Sequence, residues 1–568
     1  MIKRREFLRK SLKGAGLTYL TSKAFIGDLV AQSAAEVLSS VNDQQLDSPT
    51  YVHFNFFGAP PRWYFDLFLK PKENSSFQSN PMTATHFSGV SSQGYKSMRG
   101  WAKYRGISIP PLWTQKIISP REKNIPLMTD LLDNSLIFRG VKMGIDGHEI
   151  NNRRLMMPSL NVPSLHGTLT DFSDRALPSI NLLGQSELSS NALSSYLSKN
   201  NVPPINIMPK GDVAKDLFGN FLHHDWNEAV EHGISDFLKY NAPKNIQKRQ
   251  LNYQDKIRKL SKSKIEQLIS QYPAIFKKYD SIIKQCLLSK NIKGVTDKKI
   301  SGLDSTKKVD TDFAKRYQNE DYYLGGEDLR DTFKTSRIDS LAEQFALTEL
   351  LVLNGMSRCV ASEINTITNL KYENCLSEDD FEKYSKGKKF NLTNGSKKDY
   401  FFDLDPHFSG EVPHLLYANV FWFTFASCLS EFVLRLKETP FNSNSSVFDK
   451  TLIHLVSEFD REPNPNLSGS EHGWNGHTST LISGMFEGFN IRGNIKINSS
   501  DNMFKNSGTW GESATIKELD GQHLVYGNIA SSLASILEIP SSTPKDESLV
   551  KKIAGGKVIS HLSECENV

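Results

Sequence analysis

Seven consecutive residues, Thr451-Leu452-Ile453-His454-Leu455-Val456-Ser457, constrain the fold more than any other part of this chain. The run is aliphatic and β-branched on both alternations, and it is too short to fill a helix, so it reads as a central, buried strand. A second run, Tyr51-Val52-His53-Phe54-Asn55-Phe56-Phe57, has the same character and stops at Gly58-Ala59-Pro60-Pro61. That stop places the following loop at a strand's carboxyl end. Further strands are expected over 135–141 and 178–183 and beginning at Cys359. Helical patterns lie between them at 213–293, 341–353, 415–436 and 528–537, with Asn354-Gly355 ending the second. Strands alternating with helices predict an α/β fold: a mostly parallel central sheet flanked by helices, with helical and loop insertions.

One large domain is expected over 50–545, a size that one elaborated α/β unit can fill. Within it, 213–312 reads as a helical basic insertion, since Lys and Arg recur at helical spacing among Ile, Leu and Tyr over 244–299. This pattern suits a solvated amphipathic helix pair rather than a nucleic-acid patch, and the formal charge of +5 over 568 residues is small. Residues 72–124 read as an elaborated loop, 294–312 as a linker, 370–399 as a charged exposed insertion and 546–568 as a C-terminal tail. The five cysteines form no C-x-x-C, so a zinc ribbon or thioredoxin motif is not expected. Cys359 with Cys375 is the pair to consider for a disulfide, and buried free thiols are an equal reading.

The chain opens Met1-Ile2-Lys3-Arg4-Arg5-Glu6-Phe7-Leu8-Arg9-Lys10-Ser11. Paired arginines, one spacer, then Phe-Leu and a base is the order of a twin-arginine export signal, followed here by a mildly apolar stretch from residue 14 to about residue 31. Lys13 and Lys23 interrupt that stretch, and a basic first helical turn is the alternative reading. Residues 1–35 are therefore expected to engage the twin-arginine translocase, giving a bacterial periplasmic or secreted protein that folds before export. No later segment reaches 18 uninterrupted apolar residues, so no stable transmembrane segment is expected.

Three clusters put carboxylate and imidazole groups just after expected strands: Asp405-Pro406-His407, Ser457-Glu458-Phe459, and the loop Glu471-His472-Gly473-Trp474-Asn475-Gly476-His477. Loops at strand carboxyl ends converge in open α/β sheets. Carboxylates mixed with imidazoles are the donor set that zinc, manganese and other divalent ions accept. Each cluster alone would equally suit a turn, a salt-bridged strand end or a solvated loop; their order along the chain points to one shared site.

That order resembles a twin-arginine-exported group, the domain-of-unknown-function 1501 family of the alkaline phosphatase and sulfatase-like superfamily. Its S-E-F-G-R-T-P and D-H-W elements are similar to Ser457-Glu458-Phe459-Asp460-Arg461-Glu462-Pro463 and Glu471-His472-Gly473-Trp474. Its W-D-x-H element is similar to the segment ending Asp405-Pro406-His407, and its early G-G-P loop to the segment from Gly58 to Pro71. Its Leu-Ala helix resembles Leu341-Ala342 onward, through Gly355 to Val360. The resemblance spans about 50 to 540, with the specific motifs in the C-terminal third. It implies an alkaline phosphatase-like sheet with two metal positions at its carboxyl edge. Asp405 and His407 would help hold one ion, Glu458 and His472 the other, with His477 and Asp66 as further candidates; the ions would be zinc, manganese or calcium. Three departures stand out: Asp460 where the family has Gly, Glu471 for the D-H-W carboxylate, and Gly473 between His472 and Trp474.

Working members of that superfamily attack phosphorus or sulfur with a Ser, Thr or modified Cys. Here the expected region reads Gly147-His148-Glu149-Ile150-Asn151-Asn152 and offers no such nucleophile; no C-x-P-x-R sulfatase motif occurs. Ser159, Ser164 and Thr168 carry no supporting context, and His148 is the candidate base or ligand. Two readings follow: a metal-dependent hydrolase of phosphate or sulfate esters, with an unidentified ester or glycan substrate, or a non-catalytic periplasmic or cell-surface binding protein with an eroded site.

Overall fold

The structure is a computed structural model. It describes residues 48–69, 85–91, 94–99, 102–121, 125–158, 163–173, 175, 177, 179–184, 204–218, 262–288, 336–366, 370–373, 392–396, 399–402, 411–463, 470–473, 475–497 and 510–562. The expectations on the signal segment and on Asp405, His407, Ser159, Cys375 and Cys565 lie outside these residues.

An eight-stranded sheet organises the chain. Its strands are β1 (Thr50–Phe57), β2 (Asn134–Phe138), β3 (Ser179–Leu182), β4 (Ile205–Ile207), β5 (Cys359–Asn365), β6 (Thr451–Ser457), β7 (Ser479–Ile482) and β8 (Gly488–Arg492). The spatial order is β8-β2-β7-β6-β1-β5-β3-β4. β1 lies between β5 and β6 and runs parallel to both. β7 opposes β6 and β2, and every other pairing is parallel. The expectation of a mostly parallel, helix-flanked sheet holds. β1 and β6 are buried along their whole length, as an uninterrupted apolar run requires when helices cover both faces.

Alternate residues of the strands serve two cores. Val52, Phe54 and Phe56 of β1 join Val360, Ile364, Ile453 and Leu455 in one core, under α4 (Lys262–Leu288), α5 (Leu341–Leu353) and α6 (Glu411–Glu438). Aromatic packing dominates this face: Phe65 stacks on Trp422 with ring centroids 4.3 Å apart, and Phe54, Phe56 and Phe345 gather around Phe425. α4 is the described helical part of the basic stretch. Its Ile265, Leu268, Tyr272, Tyr279, Ile282 and Cys286 are buried in this core, so one face of the helix packs onto the domain while the other stays accessible. The reason lies in its amphipathic pattern, whose apolar face covers α5 and α6 while Lys278 reaches Glu349 at 2.6 Å.

Tyr51, Cys359, Leu452 and Val456 face the second core, under α1 (His148–Met156), α2 (Leu165–Asp171) and α7 (Tyr526–Leu537). The short α3 (Val213–Phe218) packs with the first core. The expected C-terminal tail contains the hairpin Val550–Lys552 with Val558–Ser560, and its Leu549, Val550, Val558 and Leu562 close the second core. Within the expected insertion at 370–399, Leu370–Glu373 and Leu392–Ser396 form an antiparallel sheet with Ser336–Ile338 and Asp399–Phe402. Among the described cysteines, Cys286, Cys359 and Cys428 are free and buried. Among the described residues no helix is long and apolar enough to cross a membrane.

Just beyond β2 the backbone crosses the stretch after β8 at close range. A Cβ on Gly140, where φ is +68°, would lie 2.1 Å from the Asn494 carbonyl oxygen. Gly140→Ala is expected to destabilise the protein by about 2–4 kcal/mol through the left-handed φ and the steric clash together, measured by urea unfolding. An unfolding midpoint equal to wild type would show that this crossing relaxes freely.

Candidate functional site

The loops after β1 and β6 and the start of α1 meet at the sheet's carboxyl edge. Glu458, the residue after β6, is fully buried; its Oε1 accepts from the Gly58 amide at 2.7 Å and lies 2.6 Å from His148 Nδ1. Arg461 reaches back over the same loop, donating from Nε to the Ala59 carbonyl at 2.9 Å and from Nη2 to the Gly58 carbonyl at 2.8 Å. Ala59 holds φ at +50°, a left-handed conformation that a non-glycine residue keeps only when its surroundings enforce it. Glu458 and Arg461 do so by gripping the amide and the carbonyls of one turn.

A second carboxylate–imidazole pair stands beside the first. His472 Nδ1 lies 2.5 Å from Asp146 Oδ1, and the His472 ring meets the His148 ring edge-on with centroids 4.5 Å apart. Phe459 packs against both imidazoles, at 4.8 Å and 4.4 Å. The two carboxylates differ sharply in exposure, Asp146 being 47 % and Glu458 0 % accessible, while the His472 and His148 side chains are alike at 18 and 21 %. The outer dyad faces solvent and the inner one ends in the protein interior.

Burial sets the electrostatics. Loss of solvent pushes the Glu458 carboxyl up to about 8, opposed by hydrogen bonds from backbone amides. Asp460 is pushed up to about 7 for the same reason, opposed by Arg62 and by Thr478, whose Oγ1 donates to Oδ2 at 2.6 Å. Glu363 of β5 is fully buried, and its carboxyl is held well above the usual range by desolvation and then by nearby Glu458. Neither Glu363 oxygen nor Glu458 Oε2 has a hydrogen-bond partner among the described residues.

Asp460, Glu471 and Gly473 lie in one hairpin, Asp460–Pro463 with Ser470–Gly473. Asp460 pairs with Gly473, and a Cβ on Gly473 would lie 2.7 Å from the Asp460 carbonyl oxygen. The hairpin brings His472 back from the loop onto His148. The glycine between His472 and Trp474 is thus a requirement of the strand pairing.

Of the residues expected to share a site, Glu458, His148 and His472 come together. Asp66 forms a buried ion pair with Arg62 and accepts from Thr480 Oγ1 at 2.7 Å. His477 is buried with its ring edge-on to Tyr526, and its two ring nitrogens lack hydrogen-bond partners among the described residues. Among the described residues no three His, Cys, Asp or Glu side chains converge where an ion could sit, so these residues do not by themselves fit a metal centre. Sequence reasoning missed Asp146, Glu363, Asn55 and Asn152. A signal existed for two of them, since Asn55 and Glu363 are polar residues inside otherwise apolar strands, where an unexplained buried polar group marks function.

Below the dyads, the same sheet face carries a histidine cluster. The Tyr51 hydroxyl lies 2.9 Å from His53 Nδ1 and 2.7 Å from His454 Nδ1, while His454 Nε2 is 2.7 Å from Ser479 Oγ. The His166 ring, from α2, stands edge-on to His53 at 5.3 Å. Desolvation lowers His53 to about 3 and holds His166 and His454 well below the ordinary value.

A histidine whose folded pKa lies below its unfolded value near 6.5 stabilises the fold fully above that value and loses the contribution as pH falls towards 3. At one pH unit per about 1.4 kcal/mol, His53 alone costs about 2 kcal/mol between pH 7 and pH 5. His53→Gln, which cannot take the proton, is therefore expected to flatten the acid side of the stability profile by about that amount, read by urea unfolding at the two pH values. Equal slopes for variant and wild type would contradict a neutral buried His53. No family model, no curated protein and no solved structure matches this chain, so the site is read from its own geometry.

Proposed function

We propose that the chain is an exported, alkaline phosphatase-like protein whose sheet-edge site hydrolyses phosphate or sulfate esters. One observation carries the reading: two carboxylate–imidazole dyads, Glu458–His148 and Asp146–His472, stand edge to face at the carboxyl end of a mostly parallel sheet. In each dyad the carboxylate orients the ring and stabilises the imidazolium that forms when the ring takes a proton. His148, paired with the buried Glu458, is placed to withdraw a proton from an attacking water. His472, with the more exposed Asp146, is placed to return a proton to the departing alcohol. The order of motifs in the sequence and the paired arginines at the start support the family resemblance and passage through the twin-arginine translocase to the periplasm or medium. Asp405 and His407 lie outside the described residues. The ions the resemblance implies, zinc, manganese or calcium, would polarise the ester when bound.

The second reading, a non-catalytic binding protein, is favoured by one feature. The stretch Gly147–Asn152 that leads into and opens α1 contains no Ser, Thr or Cys that could serve as the nucleophile. Turnover decides between them. Purified mature protein is expected to cleave an aryl phosphate or an aryl sulfate, with a loss of about 10²–10⁴-fold in kcat/KM in Glu458→Gln and in His148→Ala. Chelation followed by metal analysis shows whether the activity needs an ion. A folded protein that turns over neither ester, with and without added divalent ions, establishes the binding reading instead.

A further inference from the structure

The interior end of the site holds polar atoms that have no hydrogen-bond partner among the described residues. Asn55 on β1 and Asn152 on α1 are both fully buried, and the Asn55 amide donates to Asn152 Oδ1. That bond leaves Asn55 Oδ1 and Asn152 Nδ2 without partners among the described residues. Glu363 stands level with Asn55 on the neighbouring strand, with both carboxyl oxygens unpartnered, and Asn151 Oδ1 and Glu458 Oε2 are unpartnered too. Buried polar atoms are almost always hydrogen-bonded in folded proteins, and leaving one unsatisfied costs about 1–3 kcal/mol. Several gathered under one pair of dyads mark a place where a polar molecule completes them.

The chemistry of the leftover atoms narrows what that molecule is. An acceptor (Asn55 Oδ1) and a donor (Asn152 Nδ2) remain from one amide pair, and a hydroxyl, which both donates and accepts, satisfies both. Carboxyl oxygens beside them accept from further hydroxyls. A bare cation does not suit the set, because the Asn152 amide presents a donor among the acceptors. A phosphate or sulfate does not suit it either, because Asn55 Oδ1 and the carboxyl oxygens of Glu363 and Glu458 would present acceptors to a group that needs donors and positive charge. The anionic group of an ester therefore belongs on the outer side, by His148 and His472. The part directed inward is uncharged and rich in hydroxyls.

We infer that the buried lane formed by Asn55, Asn152 and Glu363 is a hydroxyl-recognition subsite for the alcohol portion of the substrate, a sugar or cyclic polyol carried as its phosphate or sulfate ester. The identity of the ester rests on the hydrolase reading above; the recognition of hydroxyls does not.

Binding is therefore measured separately from turnover. The probes are unesterified D-glucose, D-galactose and myo-inositol, titrated into full mature protein by calorimetry and by saturation-transfer NMR. At least one is expected to bind in the millimolar range or tighter, and to bind about tenfold more weakly in Asn55→Ser and Asn152→Ala. Wild-type crystals soaked in the same compound provide the second measurement, needed if a variant does not fold: ligand hydroxyls on Asn55 Oδ1 and Asn152 Nδ2 establish the subsite. Absence of binding by all three to folded wild type, or density for water alone at those two atoms, overturns it. Aryl ester hydrolysis without polyol binding sinks the subsite and leaves the hydrolase reading standing; polyol binding without hydrolysis does the reverse.

Discussion

The site depends on a grip between two neighbouring strands. β1 ends at Phe57 and the chain must turn at once; β6, beside it, ends at Ser457 and sends Glu458 and Arg461 across the gap. The carboxylate takes the Gly58 amide and the guanidinium takes the carbonyls of Gly58 and Ala59. Both side chains are buried, so each contact is made where water does not compete, and charge-assisted hydrogen bonds to backbone are among the stronger ones available. The grip fixes Ala59 in a left-handed turn and holds one oxygen of Glu458 beside His148. A carboxylate in this position thus serves the backbone and the imidazole with the same atom.

The two faces of the sheet have been put to different use. On the face under α4, α5 and α6, the inward residues of β1 are Val52, Phe54 and Phe56, which pack among aromatic rings. On the other, the same strand presents Tyr51, His53 and Asn55, and its neighbours add His454 and Glu363. A polar stripe through a core is costly, because each group must find a partner away from solvent. Towards the amino end of the strands part of the cost is met internally, by Tyr51 bridging His53 and His454, while His53 Nε2 and both His166 ring nitrogens have no hydrogen-bond partner among the described residues. Towards the carboxyl end the unpartnered atoms belong to amides and carboxyls, Asn55, Asn152, Glu363 and Glu458. The stripe therefore changes chemistry along one strand, from imidazoles to amides and carboxyls.

Much of this frame was legible in the sequence, for definite reasons. β6 coincides with the apolar run Thr451–Ser457, α5 with Leu341–Leu353, and β1 begins one residue ahead of the run at Tyr51, because long uninterrupted apolar segments have few places to go. The short strands β4, β7 and β8 were not legible. Ser479-Thr480-Leu481-Ile482 and Gly488-Phe489-Asn490-Ile491-Arg492 are half polar and owe their conformation to pairing with β2 and β6. In the site, Glu458, His148 and His472 could be named because each follows or precedes a clear element. Asp146 could not, since its role arises only when a distant hairpin returns His472 to it. Asp66 shows the converse: beside a promising motif, its charge is consumed by Arg62 four residues earlier on the same turn.

The hairpin after β6 shows how such a site is built without a rigid helix or sheet strand to carry every group. Asp460 is fully enclosed, and its carboxyl would stand without a partner were Thr478 not opposite it to donate both its amide and its hydroxyl. Once Asp460 is anchored, Arg461 points to the β1 turn, and the returning strand needs a glycine at residue 473 to approach the Asp460 carbonyl. His472, next to that glycine, is then delivered to the His148 ring. The altered residues are therefore coupled: reverting Asp460 alone would release Thr478 and loosen the strand pairing that places His472.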